Sequence, residues 1–419
     1  MTDTFVAGGA TSALNAPLRI AVIGVGARAA IARFAVESGD GLIVAGVDPD
    51  DRARARVQSE LAPEAATFAT HDELLASGVP VDAAFVTSPD HTHAEITIDL
   101  LEAGVAVYLE KPLATSPADA DAVLEAAARF GTPLYVGHNM RYLGVVQLMR
   151  DIIDRGEIGE VKAIWCRHFV GNGGDYYFKD WHADRSQSTG LLLQKGAHDI
   201  DVIHWLANGT TTDVVAMGDL SVYGAIQDRR SNADRRMPDW FSLDAWPPLA
   251  QKELNPVIDV EDISMMLMRL DNGVLASYQQ CHFTPDYWRN YTVIGTEGRL
   301  ENFGDTGGGV VRVWNSRTTY APEGDLVYSI AGDAEGHSDG DALAVGDFVR
   351  FVRSRTSTQT SPVAARNAVA AAAAATESLR DGATPRKVAP PSPNIVDYFT
   401  PNQRKPSGPD LGPATHKEN

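Results

Sequence analysis

Over the first 150 residues, short apolar runs alternate with stretches whose apolar positions recur at helical spacing. Arg19–Gly24, Leu42–Asp48, Asp82–Ser88, Ala106–Glu110 and Leu134–Asn139 read as buried strands. Helices are expected directly after the first strand and over Ala94–Ala103 and Pro117–Phe130. Apolar strands separated by helices predict a parallel sheet covered on both faces. After about residue 155 the pattern becomes strand-like and rich in β-branched and aromatic residues, as in VKAIWCRHFV, TDVVAMGDLSVYG, ISMMLMRL, GVLASYQQCHF and NYTVIGT. Asp271-Asn272-Gly273 marks a hairpin between two of these runs. An open, mostly antiparallel sheet follows from successive strands with few helices. One helix over Gly196–Leu206 interrupts it, and helices over Asp341–Arg353 and Val363–Arg380 come after it. The fold class is therefore α/β, with an α+β second half. Ala225–Pro256 reads as a long insertion between strands, and the Pro-rich stretch from Pro385 as an extended tail.

Composition excludes more than it selects. The net charge of −19 and the lack of a Lys/Arg run argue against nucleic acid and anionic membranes as partners. No stretch reaches the roughly 18 apolar residues of a membrane span. The N-terminus lacks the marks of a signal peptide. Cys166 and Cys281 form no metal or disulfide pattern, which suits a reducing compartment and a cytoplasmic location.

The first chemical signal closes the first strand. Gly24-Val25-Gly26-Ala27-Arg28-Ala29 is a GxGxxA variant of the dinucleotide fingerprint. Gly24 permits a tight turn, Gly26 lets the backbone approach a pyrophosphate, and Ala29 allows close helix packing. Ala27 and Arg28 lie in the same turn, near the pyrophosphate. A helix starting here would offer free N–H groups to the phosphates. Asp48 ends the second strand, where its carboxylate suits a ribose diol and repels a 2′-phosphate. NAD is the expected cofactor, with Arg28 and Arg52 as cations that could soften that preference.

Two further clusters carry chemistry. Glu110-Lys111-Pro112 ends a strand at the carboxyl edge of the sheet, where ligands bind. Lys111 there could act as an acid or base, with its pKa lowered by burial near other cations. In Gln194-Lys195-Gly196-Ala197-His198-Asp199-Ile200-Asp201, helical spacing puts His198 and Asp201 on one side, with Lys195 and His198 at a helix start. The set His198, Asp199, His204 lacks a zinc-site spacing, and no metal is expected.

These motifs together, with SPDHTH (Ser88–His93) and LEKPLATS, resemble the Gfo/Idh/MocA family of nicotinamide-dependent sugar oxidoreductases over roughly residues 18–380. The resemblance implies a Rossmann domain over 18–142 and a substrate-binding and oligomerisation domain over 143–384. A flexible segment over 1–17 and the tail over 385–419 flank them. It implies a homodimer or homotetramer built on the open sheet. It makes Lys111 and His198 catalytic, with Lys195 and Asp201 beside them. It places Ser88, Pro89, His93, Glu110 and Arg141 against the cofactor. Members often carry a carboxylate four residues before the histidine, and Gln194 stands there instead.

The resemblance leaves the reaction open. A hydride passes between a sugar hydroxyl carbon and the nicotinamide, either as net dehydrogenation or as a transient step. In the transient route, C3 oxidation, loss of the aglycone, water addition and re-reduction cleave a glycoside without net NAD turnover. A third reading is an NAD-binding sensor without turnover. Tyr176–Arg185 is rich in residue types that contact sugars. The substrate-contact candidates are His138, Tyr142, Lys179, Trp181, His182, Arg185 and Asp199, with Asp180 and Asp184 as possible extra acid–base groups. Arg141, Lys179 and Arg185 could hold an anionic sugar, such as a uronate or a sulfonated glycoside like a sulfoquinovoside.

Overall fold

A computed structural model describes residues 16–332 and 338–403. The strands of the first half are β1 (Leu18–Ile23), β2 (Gly41–Val47), β3 (Ala66–Phe68), β4 (Ala83–Val86), β5 (Ala106–Leu109) and β6 (Leu134–Val136). They form one parallel sheet in the order β3-β2-β1-β4-β5-β6. Every residue of β4 and β5 is buried, as expected for strands covered on both faces. The order reverses between β1 and β4, which opens a crevice outside their carboxyl ends.

The second sheet contains β7 (Val161–Val170), β8 (Thr211–Asp219), β9 (Ile263–Leu270), β10 (Leu275–Cys281), β11 (Tyr287–Gly295), β12 (Arg299–Phe303), β13 (Val310–Trp314), β14 (Leu326–Ser329) and β15 (Arg386–Lys387). Their order is β14-β13-β12-β11-β7-β10-β9-β8-β15. The pair β7–β10 is parallel and the other pairs are antiparallel. The Asp271–Gly273 turn joins β9 to β10, with Gly273 at φ +84°, where glycine escapes the Cβ clash. The inner face packs against helices Gly196–Ala207 and Pro362–Arg380. Ala368–Ala375 of the latter are buried, their small side chains permitting close approach. Along the outer face Trp165, Met217, Met265, Leu267 and Leu275 alternate with buried neighbours and stay exposed.

Several details differ from the pattern reading. The first crossover opens as a 3₁₀ turn over Ala27–Ala32, followed by a short helix over Arg33–Glu37. Gly26 stands at the N-cap and has no side chain with which to cap an α-helix. A helix over Gly144–Asp154 lies where no element was expected. The run read as one strand through Gly224 stops at Asp219. The buried Asp262 carboxylate takes the N–H groups of Ser221, Val222 and Tyr223, and so bends the chain away.

The Pro-rich stretch is not simply extended. It adds β15 to the sheet edge and forms a helix over Pro393–Phe399. Gln403 then pairs with both the N–H and C=O of Leu134, at 2.9 and 2.7 Å, as a strand neighbour would. The expected N-terminal segment 1–17 and the tail beyond 403 lie outside the described residues, apart from 16 and 17. No helix among the described residues is long and apolar enough to cross a membrane.

Candidate active site

Gly24 turns the chain at φ +87° after β1, and a Cβ there would fall 2.5 Å from the Ser88 backbone. A Cβ on Gly26 would meet nothing within 4 Å, so the space above its backbone is open. Asp48 follows β2, its carboxylate fixed by the N–H groups of Val25 (2.8 Å) and Asp50 (2.9 Å). Each oxygen keeps lone-pair capacity for another donor. This fits a dinucleotide: a glycine turn, open backbone and an acceptor at the second strand end.

Lys111 follows β5, and the Lys111–Pro112 peptide is cis. Its Nζ donates to the Gln194 carbonyl at 3.0 Å, which ties the parallel-sheet edge to the start of the helix Gly196–Ala207. Burial and the neighbouring Lys195 lower its pKa to about 8. Lys195 is buried, with Nζ 3.3 Å from the Tyr287 hydroxyl and near the Tyr177 and Tyr287 rings. Burial and the Arg289 charge lower its pKa to about 7. The His198 imidazole is held well below its usual range by burial, then by Lys111 and Lys195. Its Nδ1 has no partner among the described residues, and its ring lies 6.1 Å from that of His138. The structure thus gathers Lys111, Lys195, His198 and His138 into one buried, cation-rich group.

Other sequence-derived candidates go elsewhere. Asp201 makes a two-pronged ion pair with Arg141, both bonds 2.7 Å, and His138 Nδ1 lies 3.4 Å away. Arg141 also donates to the Gln359 carbonyl, so these two buried residues are tied to each other and to the chain around them. Arg28 bridges Glu110 and Asp341. His93 is buried, its nitrogens 2.7 Å from the Pro112 carbonyl and 2.9 Å from that of Ser88. It clamps the two motif turns to each other. Ser88 stays at the crevice, its Oγ accepting from Thr92, and Pro89 caps the turn Asp90–Thr92.

Among the substrate candidates, Tyr142 is buried against Asp347 and Tyr135. Lys179 is buried and paired with Asp175 at 2.9 Å. Arg185 is exposed, pairs with Asp259, and lines a separate cavity with Glu261 and Arg380. Asp199 points into the second sheet. It receives the hydroxyls of Tyr278 (3.1 Å) and Tyr291, and it pairs with His168 and Arg289 at 3.1 Å each. These charges hold its carboxyl well below the usual range despite burial. Trp181 stacks on His182 at 3.8 Å, and Asp180 Oδ1 holds His182 Nδ1 at 2.5 Å.

Tyr177, Tyr287 and Arg289 reach this group without a sequence motif, because they are single positions on a helix turn and a strand. Asp90 also reaches it, and it lies inside the Ser88–His93 motif.

Comparison with known proteins follows the same outline. The oxidoreductase family with an NAD-binding Rossmann fold matches residues 18–138, and the GFO/IDH/MocA C-terminal domain matches residues 146–301. An inositol 2-dehydrogenase of Gluconacetobacter diazotrophicus is 36% identical over 46% of this chain and 55% of its own length. A 1,5-anhydro-D-fructose reductase of Ensifer adhaerens is 28% identical over 55% of this chain and 60% of its own. The chain thus spans under two thirds of either relative. The WlbA dehydrogenase of Bordetella pertussis, solved with NADH and UDP-GlcNAcA, superposes with a TM-score of 0.68 over 89% of this chain and 98% of that one. At 18% identity, that likeness is one of fold.

Proposed function

Because this chain belongs to the Gfo/Idh/MocA oxidoreductase family, we propose that it is an NAD-dependent dehydrogenase of a sugar or polyol hydroxyl, with Lys111 as the base. The convergence of Lys111, Lys195 and His198 at the crevice edge carries this reading. Gly24, Gly26 and Asp48 would hold the dinucleotide. When bound, its nicotinamide supplies the acceptor for the hydride leaving the hydroxyl-bearing carbon.

The rest is the work of this chain's residues. Lys111, fixed on the Gln194 carbonyl, has a pKa of about 8, so a useful fraction of its amine is free near neutrality. That amine takes the hydroxyl proton. His198 is held neutral by burial and by its cationic neighbours, and it orients the substrate through a ring nitrogen. Lys195 bonds a second oxygen. NAD is favoured over NADP because the Asp48 carboxylate would accept from a ribose diol and repel a 2′-phosphate. Arg28 is tied to Glu110 and Asp341, and Arg52 to Asp50 and the carbonyls of Ala233 and Asp234. The apolar outer face of the second sheet supports a homo-oligomer.

The test is NADH formation on a panel of myo-inositol and common aldoses. Lys111→Ala is expected to lower kcat by about 10²- to 10⁴-fold. NADP released from the purified protein would overturn the cofactor assignment.

A second reading, oxidoreductive glycoside cleavage, is favoured by one observation: Asp180 and His182 add an acid–base pair beyond what dehydrogenation needs. Aglycone release from aryl glycosides without net NADH would select it. The anionic-sugar version gains nothing from Arg141, Lys179 and Arg185, since each is paired within the chain.

A further inference from the structure

The insertion between β8 and β9 carries Arg229, Arg230, Arg235 and Arg236 close together in a chain of net charge −19. Its two limbs join at the base, where the Leu254 backbone bonds to those of Asp228 and Arg230. Leu254 is buried in one apolar cluster with Tyr177, Phe178 and Tyr223. The buried Asn232 donates its amide to the carbonyls of Lys179 (2.9 Å) and Glu253 (2.8 Å). Arg235 bonds to the side chains of Asn232 and Glu253, and Arg230 to Asp234. The Trp240 indole N–H donates to the Asp175 carbonyl at 2.9 Å. Segment 228–240 is thus a braced arm, rooted on the stretch that carries Tyr177 and Lys179.

The tip of the arm reaches the other half of the molecule. Arg52 donates to the carbonyls of Ala233 (3.0 Å) and Asp234 (3.3 Å). Arg236 makes a two-pronged pair with Glu60, both bonds 3.2 Å. Arg52 lies on the helix Asp51–Arg56, and Glu60 on the turn that continues it. Arg52 also holds Asp50, whose N–H donates to Asp48 at 2.9 Å. The arm therefore ends on the segment that carries the candidate ribose acceptor. Its base lies beside Tyr177, with Lys195 Nζ 5.7 Å from the centre of that ring. A dinucleotide laid over the parallel sheet runs from the reacting group to Asp48. The arm starts beside the first and stops at the second.

We propose that segment 228–240 is a further part of the cofactor site, a strap from the second domain that holds the adenosine half of NAD. Arg236 is its positioning residue: it acts through Glu60 and the segment after Asp48, without touching the nucleotide. The inference rests on the reading of Gly24, Gly26 and Asp48 as the dinucleotide site. A strap tied at both ends makes nucleotide release wait on the parting of the Arg52 and Arg236 contacts. Those side chains and Glu60 are partly exposed, whereas Asn232 and Leu254 at the base are buried. The tip can therefore part from the first domain while the base stays in place. Exposed ion pairs are weak enough for such opening to accompany turnover. Binding and closure are linked, so a nucleotide held more tightly by the closed strap must hold the strap shut by the same factor.

The test has two parts. In the first, NAD and ADP-ribose, which lacks the nicotinamide, are titrated by calorimetry into the full chain freed of bound nucleotide. Arg236→Glu should weaken both ligands alike, by about 2- to 5-fold, the worth of one exposed ion pair. Combining it with Glu60→Arg rebuilds the pair with its signs reversed and should restore both affinities. Unchanged affinities in Arg236→Glu overturn the proposal, as does a loss that the double substitution leaves in place. A loss confined to NAD would put the effect at the nicotinamide end and overturns it too.

The second part needs no variant. Trypsin cleavage of the native protein after Arg235 and Arg236 should slow about 2- to 5-fold under saturating ADP-ribose, as reciprocity requires. Cleavage after the exposed Arg317 of the second sheet should stay constant. Equal rates at the strap with and without the nucleotide overturn the proposal. If the native protein binds neither NAD nor ADP-ribose, the dinucleotide site itself falls, and the strap with it. If it binds both and the strap is indifferent, only the strap falls.

Discussion

In the parallel sheet, β4 and β5 are hydrocarbon and aromatic from end to end, and the titratable groups Asp90, Glu110 and Lys111 come just past the strand ends. In the nine-stranded sheet, His168 on β7, Tyr278 on β10 and Arg289 on β11 sit mid-strand and fully buried around Asp199. The difference follows from which faces are covered. Helices cover both faces of the parallel sheet, so a charge within a strand would have no water and no partner, and chemistry is pushed to the edge. The second sheet has one covered face, and Asp199 on the helix lying over it can meet the mid-strand groups one by one. Polar residues of the first sheet thus gather at its crevice edge, whereas those in the second hold the helix that carries His198 and follows Lys195.

The largest expected effect breaks that second role. Asp199→Ala leaves Arg289 and His168 facing an apolar gap and should cost about 3–5 kcal/mol of stability, measured by denaturant unfolding. A loss near that of an ordinary surface substitution would mean the network is ornamental. Gly24→Ala acts at the edge of the first sheet. Its left-handed backbone and the 2.5 Å approach to Ser88 should cost about 1–3 kcal/mol. NAD affinity, followed by fluorescence titration, should fall with it, and retained affinity would separate the turn from the cofactor.

A third effect is pH-dependent. Lys111 and Lys195 fold with pKa values near 8 and 7, below the usual 10.5. Between about pH 7 and 10 the unfolded chain binds more protons at these sites, so their contribution to stability rises with pH across that window. Unfolding midpoints measured from pH 7 to 10 should show that rise, and Lys195→Met should flatten it. The smallest effect concerns the bare face. Leu267→Ser should change stability by no more than about 0.5 kcal/mol while lowering the mass seen by light scattering. An unchanged mass would remove Leu267 from any interface between copies.

Much of this was legible in the sequence where residues act through their neighbours in the chain. The strand–glycine–helix order, the Glu110-Lys111-Pro112 turn and the Lys195–His198 helix start are local patterns, and each lies where its spacing put it. What the sequence left open shares one cause. Arg28, Arg141, Lys179 and Arg185 each looked available for a ligand, because a sequence cannot show that Glu110, Asp201, Asp175 and Asp259 lie within reach. Asp199 and Asp201 are two residues apart on one helix and so point different ways, Asp201 to Arg141 and Asp199 to the sheet. Arg236 belongs to no motif, and its pairing with Glu60 came only from the packing of the two halves.

The sequence by itself determined the layered α/β plan, the nucleotide turn and the residue types at the reacting edge, since periodicity and short motifs are properties of adjacent residues. Tertiary structure decided which charges remain free. An ionisable side chain is spent or available according to partners tens or hundreds of residues away, and only the fold sets those distances.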